Sequence, residues 1–342
     1  MGDQKNLILA IVISVAIIFI FQILFPVQTP TITSSENIEE IQPAASIDET
    51  QIITKNVIKS KNEILGDTDR IIINTPLLKG SINLEGGIID DLILLNYKET
   101  LKESSDNISL FLPDGTKNPY YVEFGWKTLS SDSNKIDLPD LNTKWKTNEK
   151  SLEPNNPITL FWTNKQNVTF KINFKVDKNY MFEITQIIEN NSSKNIQIFP
   201  YRLIKRINTP DTINFFILHE GLISLLNDEL LEKSYNDLSD DCSSTKDSKS
   251  LFCDQKSNGG WLGFTDKYWM TVLIPEKNES INVNYRHGNN GRDNFRAGYV
   301  GKIYDIQSNS THSYSGKVFA GAKVLKILNK YEKEYEVDRF DD

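Results

Sequence analysis

Between Val168 and Val176 the chain runs Val-Thr-Phe-Lys-Ile-Asn-Phe-Lys-Val, a strict alternation of apolar and polar side chains. Successive side chains of an extended strand point to opposite faces, so this stretch lays one face on a core and the other in water. Comparable runs, rich in β-branched and aromatic residues, recur at 70–75, 77–84, 88–95, 120–126, 158–163, 180–189 and 196–207. They continue at 261–264, 268–274, 281–286, 295–304 and 313–319. Turn chemistry separates them, as in Gly86-Gly87, Pro113-Asp114-Gly115 and Asp177-Lys178-Asn179. So many strands with few helical spacers imply a mainly β fold, a large antiparallel sandwich of two stacked sheets over 67–320. The helical period is confined to the end. Val324, Leu325, Leu328, Tyr331 and Tyr335 recur every three or four residues, predicting one amphipathic helix of about four turns within 321–342 that closes on the sandwich.

The amino-terminal part has a different character. Leu7–Phe25 is nineteen residues long and only Ser14 and Gln22 in it are polar. As a helix rising about 1.5 Å per residue it spans roughly 28 Å, close to the hydrocarbon thickness of a bilayer. It is too long for the apolar region of a cleaved signal peptide, and Phe25-Pro26-Val27-Gln28-Thr29 offers no small-x-small cleavage pattern, so residues 1–25 are expected to be a retained transmembrane anchor. Lys5 and the terminal amine precede the segment and no Lys or Arg follows until Lys55, which keeps the amino terminus in the cytoplasm and exports residues 26–342. In a double-membrane bacterium they are periplasmic. Residues 26–66, rich in Thr, Ser, Glu, Asn and Gln with Pro26, Pro30 and Pro43, are expected to form a disordered tether. Asp338-Arg339-Phe340-Asp341-Asp342 carries no helix stop, and the chain is expected to continue.

Composition excludes some partners. Removing Asp3 and Lys5 from the 46 acidic and 38 basic residues leaves 45 and 37, a net charge of −8 with no basic run, which argues against nucleic acid and against purely electrostatic attachment to anionic lipid. The only cysteines, Cys242 and Cys253, stand eleven apart, and the polar residues around them are expected to form a loop. In an oxidising compartment they are candidates for a disulfide; the alternative is two free thiols, and no His stands nearby to complete a zinc site.

Chemistry is sparse. His219, His287 and His312 are far apart in sequence, and no nucleophile elbow, phosphate loop, metalloprotease helix or dinucleotide fingerprint occurs. Gly259-Gly260-Trp261-Leu262-Gly263 lacks the Lys of a phosphate loop and leads into a strand. Neither a catalytic residue, a metal ligand nor a cofactor-binding residue is predicted. Trp261, Phe264, Tyr268 and Trp269 form the sharpest local feature, either an apolar groove or core side chains of two strands joined at Thr265-Asp266-Lys267.

The segments Gly259–Trp269, Asn118-Pro119-Tyr120-Tyr121-Val122-Glu123-Phe124-Gly125-Trp126 and Phe319-Ala320-Gly321-Ala322-Lys323 resemble those of the YidC membrane insertases of Gram-negative bacteria, and so does the order of anchor, tether, β domain and helix. The resemblance implies a β-supersandwich related to galactose mutarotases. It implies five further transmembrane helices after Asp342, which carry the insertase groove, so no groove residue falls in this chain. It also implies residence in the inner membrane, nascent inner-membrane proteins as substrates, contacts with the Sec translocon and SecDF, and no enzymatic activity. The alternatives are a single-pass periplasmic binding module or a mutarotase-like sugar-binding protein. A mutarotase needs a general acid and base facing each other, and the neighbours His219 and Glu220 point to opposite faces if they lie in a strand.

Overall fold

The computed structural model describes residues 58–129, 136–210, 219–243 and 250–341. The chain divides into two units, 1–43 and 44–342, and every described residue belongs to the second. The anchor segment and the tether as far as residue 57 lie outside the described residues.

A short helix, α1 (Lys61–Gly66), opens the described chain. The first ten strands are β1 (Arg70–Asn74), β2 (Leu78–Asn83), β3 (Ile88–Lys98), β4 (Asn107–Phe111), β5 (Tyr120–Lys127), β6 (Ser151–Leu152), β7 (Ile158–Thr163), β8 (Val168–Val176), β9 (Met181–Asn190) and β10 (Ile196–Ile207). Then come β11 (Gly221–Leu226), β12 (Glu229–Lys233), helix α2 (Tyr235–Asp241), β13 (Asp254–Asn258), β14 (Trp261–Thr265), β15 (Trp269–Pro275), β16 (Ser280–Asn289), β17 (Asp293–Gly301), β18 (Tyr304–Ile306), β19 (Ser310–Ala322) and helix α3 (Leu325–Tyr335). They build an 11-stranded sheet in the order β13-β16-β17-β10-β5-β3-β2-β1-β6, with β18 beside β10 and β4 beside β3. The second sheet has 8 strands in the order β12-β11-β14-β15-β19-β9-β8-β7. Every paired strand is antiparallel to its neighbour except β1 and β6.

Alternation along β8 turns Val168, Phe170, Ile172, Phe174 and Val176 inward. Phe124 and Trp126 of β5 meet them from the other sheet, with ring centroids 5.6 Å apart for Phe124–Phe174 and 5.1 Å for Trp126–Phe170. Burying each side chain of this size stabilises the fold by about 1.5–3 kcal/mol. Polar groups cross the same core. Gln186 donates to the Gly125 carbonyl at 2.7 Å, and Arg202 donates to the Ile184 carbonyl at 2.8 Å while its guanidinium lies 5.2 Å from the Tyr314 ring centroid. Opposite Arg202 stands Gly316, where a Cβ would come within 2.2 Å of the guanidinium, so a side chain cannot be accommodated without displacing the cation.

Three local expectations need correction. Residues 61–66, assigned above to the tether, form α1 because Ser60 and Glu63 close a reciprocal capping box. The polar stretch before Cys242 is likewise helical, with a capping box from Ser234 and Asp237 and with Tyr235 and Leu238 buried. The terminal helix has 11 residues, about three turns. It does stop: Glu336 adopts the left-handed conformation at φ 52°, and the Val337 N–H bonds to the Glu332 carbonyl at 3.1 Å.

Candidate functional site

The aromatic residues singled out in the sequence divide between two environments. Trp261 and Phe264 point into the core, Trp269 is half-buried and Tyr268 is 54% exposed. The cause is the hairpin between β14 and β15, whose turn is closed by the Asp266 N–H on the Trp269 carbonyl at 2.8 Å and leaves Tyr268 at its tip. Upstream, Gly260 has φ +90° and a Cβ there would meet the Leu225 carbonyl at 2.2 Å. The glycine pair therefore serves a tight connection between strands.

The carboxyl-terminal helix docks beside this hairpin. Its Tyr331 is fully buried; the hydroxyl accepts the Tyr180 N–H at 3.0 Å and donates to Asp177 Oδ2 at 2.6 Å. After the helix stop the chain folds back, so that Phe340 packs edge-on against Trp261 at 5.6 Å and against Phe319 at 5.4 Å. Trp261 Nε1 donates to the Asp338 carbonyl at 3.0 Å. The segment following Val337 is thus tied to the sandwich by buried rings and a backbone bond.

Behind the hairpin turn sits a half-buried cation. Arg206 on β10 donates to Asp266 Oδ1 at 2.7 Å and to the Tyr235 hydroxyl at 3.0 Å, with the Tyr120 ring centroid 4.5 Å away. Burial opposes the charge on Arg206, but Tyr235, Asp266 and Tyr120 more than offset it and hold the guanidinium ionised. Burial pushes Tyr235 far above the usual phenol range. Lys323 donates to Thr265 Oγ1 at 2.9 Å, and burial holds it below the usual lysine range. These contacts fix the turn that carries Tyr268. Sequence reasoning did not find this cluster, since its members come from five distant segments.

A second polar centre lies at α1. The register of β2 against β3 slips between Ser81 and Ile82, leaving Asp90 as an extra residue, a β-bulge flanked by buried apolar positions. Arg70 pairs with Asp90 and its Nε donates to Ser81 Oγ at 2.7 Å, while Ser81 Oγ donates to Asp91 Oδ2 at 2.7 Å. Lys61 of α1 reaches Asp91 Oδ1 at 2.7 Å, so α1 is ionically fastened to the sheet. Burial pushes the Asp90 carboxyl up to about 6 against the opposing pull of Arg70. Two adjacent acids inside the apolar run 88–95 were the signal available in the sequence.

Cys242 caps α2 and Cys253 ends a 3-10 turn at Leu251–Cys253; the two are bonded, with Cα atoms 5.6 Å apart. The histidines do not converge. His219 donates to the Leu222 carbonyl at 2.7 Å, His287 pairs with Asp293 at 2.9 Å, and His312 lies on the Tyr304 ring at 4.0 Å. Glu220, next to His219, instead accepts the Lys267 N–H at 3.2 Å. Among the described residues the arrangement sets no histidine across a shared cavity from a carboxylate.

Residues 70–342 match the family model described as the YidC periplasmic domain. The chain belongs to the YidC periplasmic domain family. A membrane protein insertase YidC of Granulibacter bethesdensis is 34% identical over 344 residues, covering 99% of this chain and 58% of the relative. One of Rickettsia felis is 35% identical over 342 residues, covering 98% of this chain and 58% of the relative. This chain therefore spans well under two thirds of the length of these relatives. Among solved structures, a galactose mutarotase related enzyme from Lactobacillus acidophilus has TM-score 0.47 and 9% identity, covering 74% of this chain and 97% of that one. A galactose mutarotase-like protein from Lactobacillus casei has TM-score 0.45 and 8% identity, covering 74% of this chain and 100% of that one.

Proposed function

We propose that this chain is the anchor and periplasmic domain of a membrane protein insertase. In this reading residues 1–25 form a transmembrane helix with its amino terminus in the cytoplasm, a tether follows, and the sandwich with its terminal helix stands in the periplasm. Insertion itself resides in transmembrane helices that follow Asp342. The observation that carries the reading is the family match over residues 70–342, joined to relatives of about 35% identity that are named as insertases and are much longer. Leu7–Phe25 supports the anchor, since an apolar stretch of that length is what a bilayer requires. Nascent inner-membrane proteins are the proposed substrates, and the Sec translocon with SecDF the proposed partners; the latter rest on family resemblance. No catalytic role is proposed, because the histidines are each engaged locally and apart from one another.

The test is complementation in cells depleted of their own insertase. The reading frame extended beyond Asp342 is expected to restore insertion of an inner-membrane protein, scored by protease protection, whereas residues 1–342 alone are not. Failure of the extended frame overturns the insertase reading. Rescue by residues 1–342 overturns the placement of the activity beyond this chain.

A further inference from the structure

Both ends of the Cys242–Cys253 bond are sealed in the fold. Each cysteine is 0% exposed and belongs to the main apolar cluster. Neighbouring residues of β16 hold the two backbones: the His287 N–H donates to the Cys242 carbonyl at 2.9 Å, and Arg286 Nη1 donates to the Cys253 carbonyl at 3.0 Å. Cys242 caps α2, and α2 wedges between the two sheets. Its Tyr235 ring stacks on Phe264 of the 8-stranded sheet, centroids 5.8 Å apart, and meets Phe295 of the 11-stranded sheet at 4.8 Å, while Leu238 is fully buried. None of these contacts needs the sulfur–sulfur bond. A buried thiol behaves as a small apolar group, so a chain with two thiols at 242 and 253 is free to close the same wedge.

We propose that the bond is made before this wedge closes, by thiol–disulfide exchange with a thiol oxidase of the compartment to which the domain is exported. Exchange requires a thiolate to reach a disulfide sulfur, and a cysteine at 0% exposure offers no such access. In the chain before α2 docks, one cysteine thiolate attacks the active-site disulfide of the oxidase, forming a mixed disulfide and freeing one oxidase thiolate. The second cysteine thiolate attacks the first cysteine's sulfur in that mixed disulfide, which forms Cys242–Cys253 and releases the oxidase as its dithiol. The chain gives up two protons and two electrons, and the electrons reduce the oxidase. A sequence separation of 11 keeps the second thiol near the first throughout. Order then decides the outcome: a chain that folds first keeps its dithiol, and a chain oxidised first holds a bond that reductants do not reach. The inference rests on the exported reading above.

The test follows the whole chain in detergent and in cells. In detergent, dithiothreitol is expected to reduce the bond of the folded chain about a hundredfold or more slower than that of the chain in urea, since an opening that uncovers Tyr235 and Leu238 is rarely populated. The single substitutions Cys242→Ser and Cys253→Ser each leave one thiol, and N-ethylmaleimide is expected to label it with the same protection. Leu238→Ala, with circular dichroism unchanged, is expected to speed both reactions roughly tenfold or more in the folded chain and neither in urea. Reaction as fast folded as in urea shows sulfurs within reach after closure and overturns the proposed order. In cells, acid-quenched and alkylated chain is expected to be oxidised in a host with its exported thiol oxidases and mostly reduced in a host lacking them. Cystine supplied to the second host during synthesis is expected to restore the bond, and cystine supplied only after a chase is not. Equal oxidation in both hosts overturns the oxidase as the source, and restoration after the chase overturns the order. Reduced cysteines in the first host overturn the exported reading instead, a separate outcome read before any comparison between hosts.

Discussion

Replacing Tyr331 by Phe removes one oxygen from the interior and nothing else. The ring stays within 6.0 Å of Phe319 and 5.6 Å of Tyr335, so packing is retained. What is lost is the donor to Asp177 at 2.6 Å and the acceptor for the Tyr180 N–H at 3.0 Å. A hydrogen bond to a charged group contributes about 1.5–3 kcal/mol, and a buried N–H left without a partner costs about 1–3 kcal/mol. Asp177 keeps the N–H groups of Asn179 at 2.8 Å and Met181 at 3.1 Å, so its own loss is at the lower end. The expected cost is therefore about 3 kcal/mol. For a domain of this size that lowers the thermal midpoint by about 6–12 °C. If α3 lifts off before the sandwich melts, the same energy appears as faster amide exchange in residues 325–335, by about two orders of magnitude. Calorimetry and hydrogen exchange together separate the two cases. Lys330→Ala is the control: its 3.4 Å contact with Glu334 is an exposed i,i+4 pair and is expected to change stability by less than about 0.5 kcal/mol. A Tyr331→Phe midpoint within about 1 °C of the parent, with unchanged exchange in α3, refutes the argument that these two bonds hold the helix.

Two further outcomes follow from the buried charges and the disulfide. Asp90 has a folded pKa of about 6 against 3.8 when unfolded, so the folded state takes up its proton first; stability from this group is present below 3.8, is lost as pH rises through about 6, and amounts at most to about 3 kcal/mol at about 1.36 kcal/mol per pH unit. Urea titrations at pH 7.5 and 4.5 are expected to show that pH-dependent part in the parent and not in Asp90→Asn; equal pH dependence in both contradicts the assignment. Reducing Cys242–Cys253 reopens a loop of sequence separation 11 and is expected to lower stability by about 2–3 kcal/mol, with thiol labelling only after reductant. Labelling without reductant in exported protein contradicts the bond.

The strands were legible where one face of a sheet meets the core and the other is partly wetted. Ile158–Thr163 and Ile196–Ile207 agree with the periodicity end for end, and β8 alternates along its whole length. β11 was missed because all of Gly221–Leu226 is buried, which erases the period of two, and β12 and β13 because Glu-Leu-Leu-Glu-Lys and Asp-Gln-Lys-Ser-Asn are edge strands with little apolar content. The short helices α1 and α2 left only capping boxes as signals, which the surrounding polar residues concealed. By itself, then, the amino-acid sequence determined the fold class, the terminal amphipathic helix and the apolar segment Leu7–Phe25, because each is a property of local period and length. Only the tertiary structure decided which aromatic residues are core and which are surface. Trp261 and Phe264 share a strand and Tyr268 lies at a turn, but exposure depends on what the opposite sheet and α3 cover. The same holds for the Arg206–Asp266 pair, the Tyr331 docking bonds and the bulge at Asp90, which join residues 60, 154 and 20 positions apart. Long-range pairing has no local periodic signature, since strand order is set by how the two faces bury each other and not by what any one segment prefers.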